Sequence, residues 1–311
     1  MINFNSKIYV AGHNGLVGGA ILRELKKQGY KNLIFASRKQ LDLTDQKNVF
    51  KFIKDKKPIF IFIAAAKVGG IYSNNKYKAD FIYQNLSIQN NLIHGAFLNG
   101  IKNLIFLGSS CVYPRKSKQP IKESYLLTGE LEPTNEPYAI AKIAGIKMCQ
   151  SYNQQYGTNY RCLMPTNTFG AYDNYDELNS HFFPALIKKI DSLKNNNNKL
   201  LLWGNGLAKR EVIYVDDLAN ACVYFMNKKT KHDIINVGTG KDYTIKYYAQ
   251  LISKIILPNK KIEIEYDRSK PNGTPRKVMD ISLAKKYGWK PSTSLELAIL
   301  KTYQTYLKET K

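Results

Sequence analysis

Short, almost purely apolar runs alternate with longer stretches of mixed polarity through the first half of the chain, and this rhythm predicts the architecture. Lys7-Ile8-Tyr9-Val10-Ala11 reads as a buried strand, and the residues after it keep apolar positions at helical spacing through Leu25. Leu33-Ile34-Phe35-Ala36 predicts a second strand, Ile59 to Ala66 another, and a long helix is expected from about Ala79 to Asn99. Leu104-Ile105-Phe106-Leu107 is a further strand, and Tyr160-Arg161-Cys162-Leu163-Met164-Pro165 is counted as the sixth. Strand and helix in this order predict an α/β fold of the Rossmann type, a doubly wound parallel sheet whose ligands gather at the carboxyl ends of the strands.

Beyond residue 168 the alternation loosens. Asn195 to Asn198 is a polar low-complexity loop, Leu200 to Gly204 a short strand, and Ile213-Tyr214-Val215-Asp216-Asp217-Leu218 opens another helix. With Ile235-Asn236-Val237-Gly238 and the strand-like Ile262 to Tyr266, this part reads as a smaller C-terminal α/β substrate-binding lobe. Residues 1–168 are therefore expected to form the cofactor-binding Rossmann domain, with a segment of about 205–240 returning to it. Residues 169–311 are expected to form mainly the substrate lobe.

Composition adjusts this picture only at its edges. The 311 residues are 44% hydrophobic, enough for a real core, and no apolar run approaches the roughly eighteen residues of a membrane span. The opening Met1-Ile2-Asn3-Phe4-Asn5-Ser6-Lys7 has no signal-peptide core, so a soluble, cytoplasmic protein is expected. Cys111, Cys149, Cys162 and Cys222 form no C-x-x-C pair, which argues against a zinc site or a disulfide framework. No metal is expected. A net charge of +23 raises nucleic-acid binding as a function class, but the lysines are spread along the chain instead of forming one stripe. Nucleic acid and membrane are accordingly not expected as partners, while a basic surface would help gather an anionic small substrate.

Candidate chemistry clusters where the predicted strands end. Gly12-His13-Asn14-Gly15-Leu16-Val17-Gly18 follows a strand and opens a helix, the G-x-x-G-x-x-G form of a loop that lets a pyrophosphate approach the backbone. Ser37-Arg38-Lys39 places cations where an NAD-specific protein carries an acidic residue, which favours a 2′-phosphate and hence NADP(H); ordinary surface charge is the competing reading. Ala64-Ala65-Ala66 would let a cofactor lie against the backbone, and Gly108-Ser109-Ser110-Cys111 brings Ser109 and Cys111 to the same edge. Pro120, Pro133 and Pro137 make a loop before Tyr138, with Pro137 suited to helix entry. Tyr138 and Lys142 then lie four residues apart on one helical face, with β-carbons ~5–6 Å apart. A fixed cation at that spacing is expected to lower the phenol's pKa from about 10 and make it a proton donor to a carbonyl oxygen. Asp216 and Asp217 read as helix-capping residues in preference to a metal pair.

Taken together, these motifs resemble the extended short-chain dehydrogenase/reductases. Ala64 to Ile71, Gly108 to Pro114, Glu132 to Lys142, Asn179-Ser180-His181 and Gly273-Thr274-Pro275-Arg276-Lys277 resemble the GDP-L-fucose synthase family over nearly the full chain. The resemblance implies C3/C5 epimerisation of a GDP-4-keto sugar followed by NADPH-dependent reduction at C4, in a homodimer. It implies Ser109, Cys111, Tyr138, Lys142 and His181 as catalytic residues, with Cys111 the base and His181 the acid of epimerisation. To the cofactor it assigns Gly12, Asn14, Gly15, Leu16, Val17, Gly18, Arg38, Ala64, Ala65, Leu107, Gly108, Pro165, Asn167, Thr168 and His181, besides Tyr138 and Lys142. To the nucleotide-sugar it assigns Ser110, Lys189, Trp203, Arg210, Asn272 and Lys277.

Three positions depart from the family pattern: Asn14 stands where arginine is usual, Asn272 where an aspartate contacts substrate, and Gly170-Ala171-Tyr172-Asp173 where Gly-Pro-His-Asp is usual. The last two lie near the expected sugar cleft. They leave open a C4 reductase of a GDP-4-keto-heptose whose epimerisation is done by a separate enzyme. A non-catalytic Rossmann protein or a polyanion-binding protein is the remaining alternative.

Overall fold

Among the described strands, residues 8–11 and 60–63 are sealed from water along their whole length, and they lie side by side inside the main sheet. In the computed structural model, which describes residues 2–176, 180–195, 198–270 and 274–310, the elements run in the following order. The first part holds β1 (Ile8–Ala11), α1 (Leu16–Lys27), β2 (Leu33–Ile34), α2 (Gln46–Lys56), β3 (Phe60–Ile63), α3 (Ile71–Lys76), α4 (Lys78–Leu98), β4 (Asn103–Leu107), α5 (Glu136–Tyr156), β5 (Asn159–Pro165) and β6 (Asn167–Phe169). The second holds α6 (Phe182–Ser192), β7 (Lys199–Trp203), β8 (Lys209–Tyr214), α7 (Val215–Asn227), β9 (Ile234–Val237), β10 (Asp242–Thr244), α8 (Ile245–Ile256), β11 (Glu263–Asp267), β12 (Arg276–Lys277), α9 (Ser282–Lys286) and α10 (Leu295–Glu309).

The main sheet is six-stranded and parallel throughout, in the order β2-β1-β3-β4-β5-β9. Its strands alternate between two cores because successive side chains leave opposite faces. Ile8, Val10, Phe60, Phe62, Ile105 and Leu107 face one core, built with α1 and α7, while Tyr9, Ala11, Ile61, Ile63, Leu104 and Phe106 face the other, built with α2, α4 and α5. A doubly wound Rossmann-type sheet is thus the observed fold. The order reverses between β1 and β3, and a ligand crevice opens at the carboxyl ends there.

Several boundaries differ from the sequence expectation. β2 is only Leu33–Ile34, since Phe35 is already 48% exposed. Tyr160 to Pro165 falls in the fifth strand in chain order, and the sixth place in the sheet goes to β9. Ile213 and Tyr214 end β8 before α7 begins. Neither aspartate caps that helix: Tyr214 is the cap residue, Asp216 pairs with Arg23 at 3.1 Å, and Asp217 accepts hydrogen bonds from Ser292 and Thr293. Asp217 therefore ties the chain before α10 to α7.

The remaining strands gather around β8. It pairs antiparallel with β10 and parallel with β12 and β6, and a separate parallel pair joins β7 to β11. β8 thus connects the turn at Asn167 with the segment that carries Lys277. No helix among the described residues is long and apolar enough to cross a membrane.

Phe62 is fully buried at the centre of the sheet. Phe62→Ala should cost about 3–5 kcal/mol of unfolding free energy in a denaturant titration, the usual range for deleting a buried aromatic ring.

Candidate active site

The crevice begins where β1 hands over to α1. Gly12 has φ +90°, and a Cβ there would sit 2.6 Å from the Ala65 nitrogen, so the loops after β1 and β3 touch through bare backbone. A Cβ at Gly18 would overlap the Gly12 carbonyl, while the Gly15 N–H donates to that carbonyl at 3.0 Å. α1 starts after Gly15 with no side-chain cap, leaving its first N–H groups, at Leu16 and Val17, directed into the loop. This cradle fits a dinucleotide pyrophosphate. Asn14 is exposed on its rim, Ala64 and Ala65 form its floor, and Arg38 stands exposed beyond β2. There Arg38 reinforces the Thr44 hydrogen bonds that hold the Asp42 carboxyl below its ordinary pKa.

β4 delivers the next set. Ser109 has an extended backbone and its Oγ accepts the Cys111 N–H at 3.1 Å, capping a one-turn 3₁₀ helix over Ser110–Val112. This turn leaves Cys111 part-exposed and buries Ser110. Gly108 packs against Met164, where a Cβ would overlap the thioether. The Leu107 carbonyl accepts from Lys142 Nζ at 2.8 Å.

α5 opens at Glu136 with Pro137 in its first turn, as the proline spacing implies, and presents Tyr138 and Lys142 on one face. The expected effect of the lysine on the phenol is corrected by the structure. Burial, then the nearby Cys111 charge, push the Tyr138 phenol above its usual pKa, and a hydrogen bond with Ser109 offsets only part of that. Lys142 is 3% exposed, lies 4.7 Å from the Phe106 ring centre and is pushed down to about 8 by burial. Desolvation outweighs the cation here because the ammonium is itself buried and bonded to Leu107.

Cys111 has the opposite balance. Burial alone would raise the thiol, but the Lys277 ammonium, the Ser109 hydrogen bond and Arg210 together hold it below the usual thiol value. Lys277 Nζ and Asn135 Nδ2 each approach Sγ at 3.4 Å. β12 brings Lys277 there by pairing it with Arg210 of β8. Arg210 also donates to the Thr274 carbonyl, and Thr274 Oγ1 donates to Glu132 at 3.1 Å. His181 is the cap residue of α6. The residue is exposed overall, yet loss of hydration around the ring and then the Lys277 charge hold it below an ordinary imidazole.

The remaining sequence-assigned residues fall into two further groups. Pro165 ends β5; Asn167 Nδ2 donates to the Glu211 carbonyl at 2.8 Å, and Thr168 Oγ1 to the Thr166 carbonyl at 3.2 Å. Lys189 and Lys270 sit 5.8 and 5.7 Å from the ring centre of the exposed Trp203, and Trp203 lines a cleft of about 280 Å³ with Tyr72, Asn75 and Lys76. Asn179, Asn272 and Gly273 lie outside the described residues. Sequence reasoning missed Glu211 and the direct contact of Lys277 and Asn135 with the thiol. The only signal for either was position: Asn135 inside the motif before Tyr138, Glu211 beside Arg210.

Comparison with known proteins gives the relatives of the chain. Residues 8–238 match the model of the NAD dependent epimerase/dehydratase family. The chain is 48% identical to GDP-L-fucose synthase 1 of Arabidopsis thaliana over 99% of its own length and 95% of the relative's. It is 46% identical to GDP-L-fucose synthase of Escherichia coli, with 97% of each chain covered. Among solved structures, a GDP-mannoheptose C4 reductase from Campylobacter jejuni with NADP bound superposes with a TM-score of 0.90 at 38% identity, covering 99% of this chain and 100% of that one.

Lys277→Met should raise the Cys111 thiol pKa, because burial is then opposed only by Ser109 and Arg210. Alkylation by iodoacetamide at pH 7 should slow by about tenfold or more, the consequence of one pKa unit or more. Cys149, Cys162 and Cys222 have no exposed surface and leave the signal to Cys111. An unchanged rate would contradict the electrostatic role given to Lys277.

Proposed function

The chain belongs to the NAD-dependent epimerase/dehydratase family, among the GDP-L-fucose synthases, and from that premise we propose that it epimerises a GDP-4-keto-6-deoxymannose at C3 and C5 and then reduces C4 with NADPH. The observation that carries this reading is the Cys111 thiol held 3.4 Å from the Lys277 ammonium, two residues from the Ser109 hydroxyl that bonds Tyr138. Base, acid and ketone-polarising groups then address one carbonyl.

The C4 ketone acidifies the hydrogens on C3 and C5. In the proposed step the Cys111 thiolate takes such a proton, the electron pair moves into an enolate, and the Tyr138 and Ser109 hydroxyls steady its oxygen. His181 returns a proton to carbon from the other side, and the inverted centre results. NADPH, when bound, supplies a hydride for C4. For the second step Tyr138 gives its proton to the developing O4 alkoxide. The raised pKa of Tyr138 keeps that proton in place until an alkoxide forms, and Lys142 is held where its charge supports the transfer.

Gly12, Gly15, Leu16, Val17 and Gly18 are proposed to hold the pyrophosphate of the cofactor, Arg38 its 2′-phosphate, and Ala64, Ala65, Leu107, Gly108, Pro165, Asn167 and Thr168 to line its course. Lys189, Trp203, Arg210 and Lys277 are proposed for the nucleotide-sugar, whose diphosphate suits cations beside an aromatic face. Residues 1–168 with 205–240 would carry the cofactor and 169–311 chiefly the sugar nucleotide. A cytoplasmic homodimer completes the proposal; Tyr83 and Leu98 on α4 and Ile140 and Tyr156 on α5 are exposed apolar surface that a second copy would cover.

The test is incubation with GDP-4-keto-6-deoxymannose and NADPH in deuterated water. Deuterium at C3 and C5 of a C4-reduced product is expected, and Cys111→Ala should slow exchange about 10²–10⁴-fold, the usual contribution of a general base. Reduction without exchange would remove the epimerase half, and turnover only with the 4-keto-heptose would move the substrate to the heptose series.

A further inference from the structure

Glu211 is the residue next to Arg210 on β8, and its side chain is fully buried. Among the described residues no cation pairs with it. Its Oε1 accepts backbone N–H groups from Thr239 at 2.5 Å and Gly240 at 2.7 Å, and its Oε2 accepts the N–H of Met279 at 2.7 Å. A carboxylate deprived of water survives only when bonded in this way, and removing its acceptor capacity leaves buried donors unpaired. Burial pushes this carboxyl up to about 7 against those three donors and the Thr239 hydroxyl, which donates to Oε1 at 3.4 Å. Tyr248 of α8 is a titratable neighbour, its phenol raised by burial and then by this carboxylate.

Where these bonds lead is more informative than how many there are. Met279 is two residues past Lys277, so the carboxylate grips the chain immediately after the strand that places an ammonium on Cys111. Neighbouring residues on a strand face opposite ways, so Arg210 turns towards Cys111 while Glu211 turns into the clamp. The same segment is held from its other side, where Gln119 Oε1 accepts the Val278 N–H at 2.9 Å and Ile121 exchanges backbone bonds with Val278 and Asp280. Gly238 leaves room for the carboxylate: a Cβ there would overlap Glu211 Oε1.

We infer that Glu211 is a positioning residue for Cys111, its buried carboxylate pinning the β12 segment so that Lys277 reaches the thiol. The inference rests on the reading of Cys111 as the base, yet it concerns the thiol's ionisation and is measured separately from turnover. The charged and titratable groups around Cys111 are Lys277 of β12, Arg210 of β8 and Tyr138 of α5, with His181 facing Lys277 and Glu132 facing Arg210. Of these, only Lys277 is tethered through Glu211's side-chain bonds.

The experiment follows Cys111 alkylation by iodoacetamide across pH in Glu211→Gln, Lys277→Met and the double variant. Glu211→Gln is isosteric but turns one oxygen into a donor that meets backbone N–H groups. The expected result is a titration midpoint shifted upward, a rate at pH 7 reduced about tenfold, and no additional shift when Glu211→Gln is added to Lys277→Met. If Glu211→Gln is too unstable to purify, Gly238→Ala displaces the carboxylate with its charge intact and should move the midpoint the same way. An unmoved midpoint in a folded, NADPH-binding variant, or a second full shift in the Lys277→Met background, would overturn the inference. Failure of the base assignment itself would instead leave the midpoint shift intact while Cys111→Ala still exchanged deuterium at C3 and C5.

Discussion

One contact holds the account together: the Lys277 ammonium against the Cys111 sulfur, 3.4 Å apart, joining the end of β4 to β12 across 166 residues of chain. A thiol in a desolvated cleft is ordinarily a poor base, because burial disfavours its anion. A cation fixed beside it in the same low-dielectric setting acts far more strongly than it would in water. Arg210, on the neighbouring strand, adds to that field and explains why β8 must run beside β12. If the two strands separated, Cys111 would revert to a protonated thiol.

The other polar groups of the cleft divide in a way that follows from the same competition between burial and charge. Cys111 is tipped towards its anion by fixed cations, whereas Tyr138 is held neutral by burial and by that thiol's charge. A thiol tipped towards its anion and a phenol that keeps its proton can therefore coexist in one cleft at neutral pH, which is what the proposed base and proton donor require. Lys142 occupies a third situation, nearly sealed from water and bonded to the Leu107 carbonyl, so that its charge is available close to the phenol without being spent on a salt bridge.

Much of this was legible in the sequence for definite reasons. Strands buried on both faces write themselves as continuous apolar runs, and β1, β3, β4 and β5 were readable from Ile8-Tyr9-Val10-Ala11 and its counterparts. Gly12 and Gly18 were readable because only a bare backbone allows their close approaches. The long α5 motif placed Tyr138 and Lys142 correctly on one face. What stayed hidden depends on long-range pairing or on a contest of opposing effects. The place of β9 beside β5, the use of Asp217 to hold Ser292 and Thr293, and the grip of Glu211 on Met279 join residues scores of positions apart. The direction of the Tyr138 shift was misread because spacing announces the nearby cation and is silent on the desolvation that outweighs it.

The most direct test of this account is an ultraviolet titration of thiolate absorbance in the wild-type enzyme, with Cys111→Ser as the blank. A single thiolate step that vanishes in the blank and lies clearly below the ordinary cysteine value of about 8.5 is the predicted result. A Cys111 step at or above that value would contradict the claim that fixed cations overcome burial at this thiol, and with it the role of Cys111 as the base.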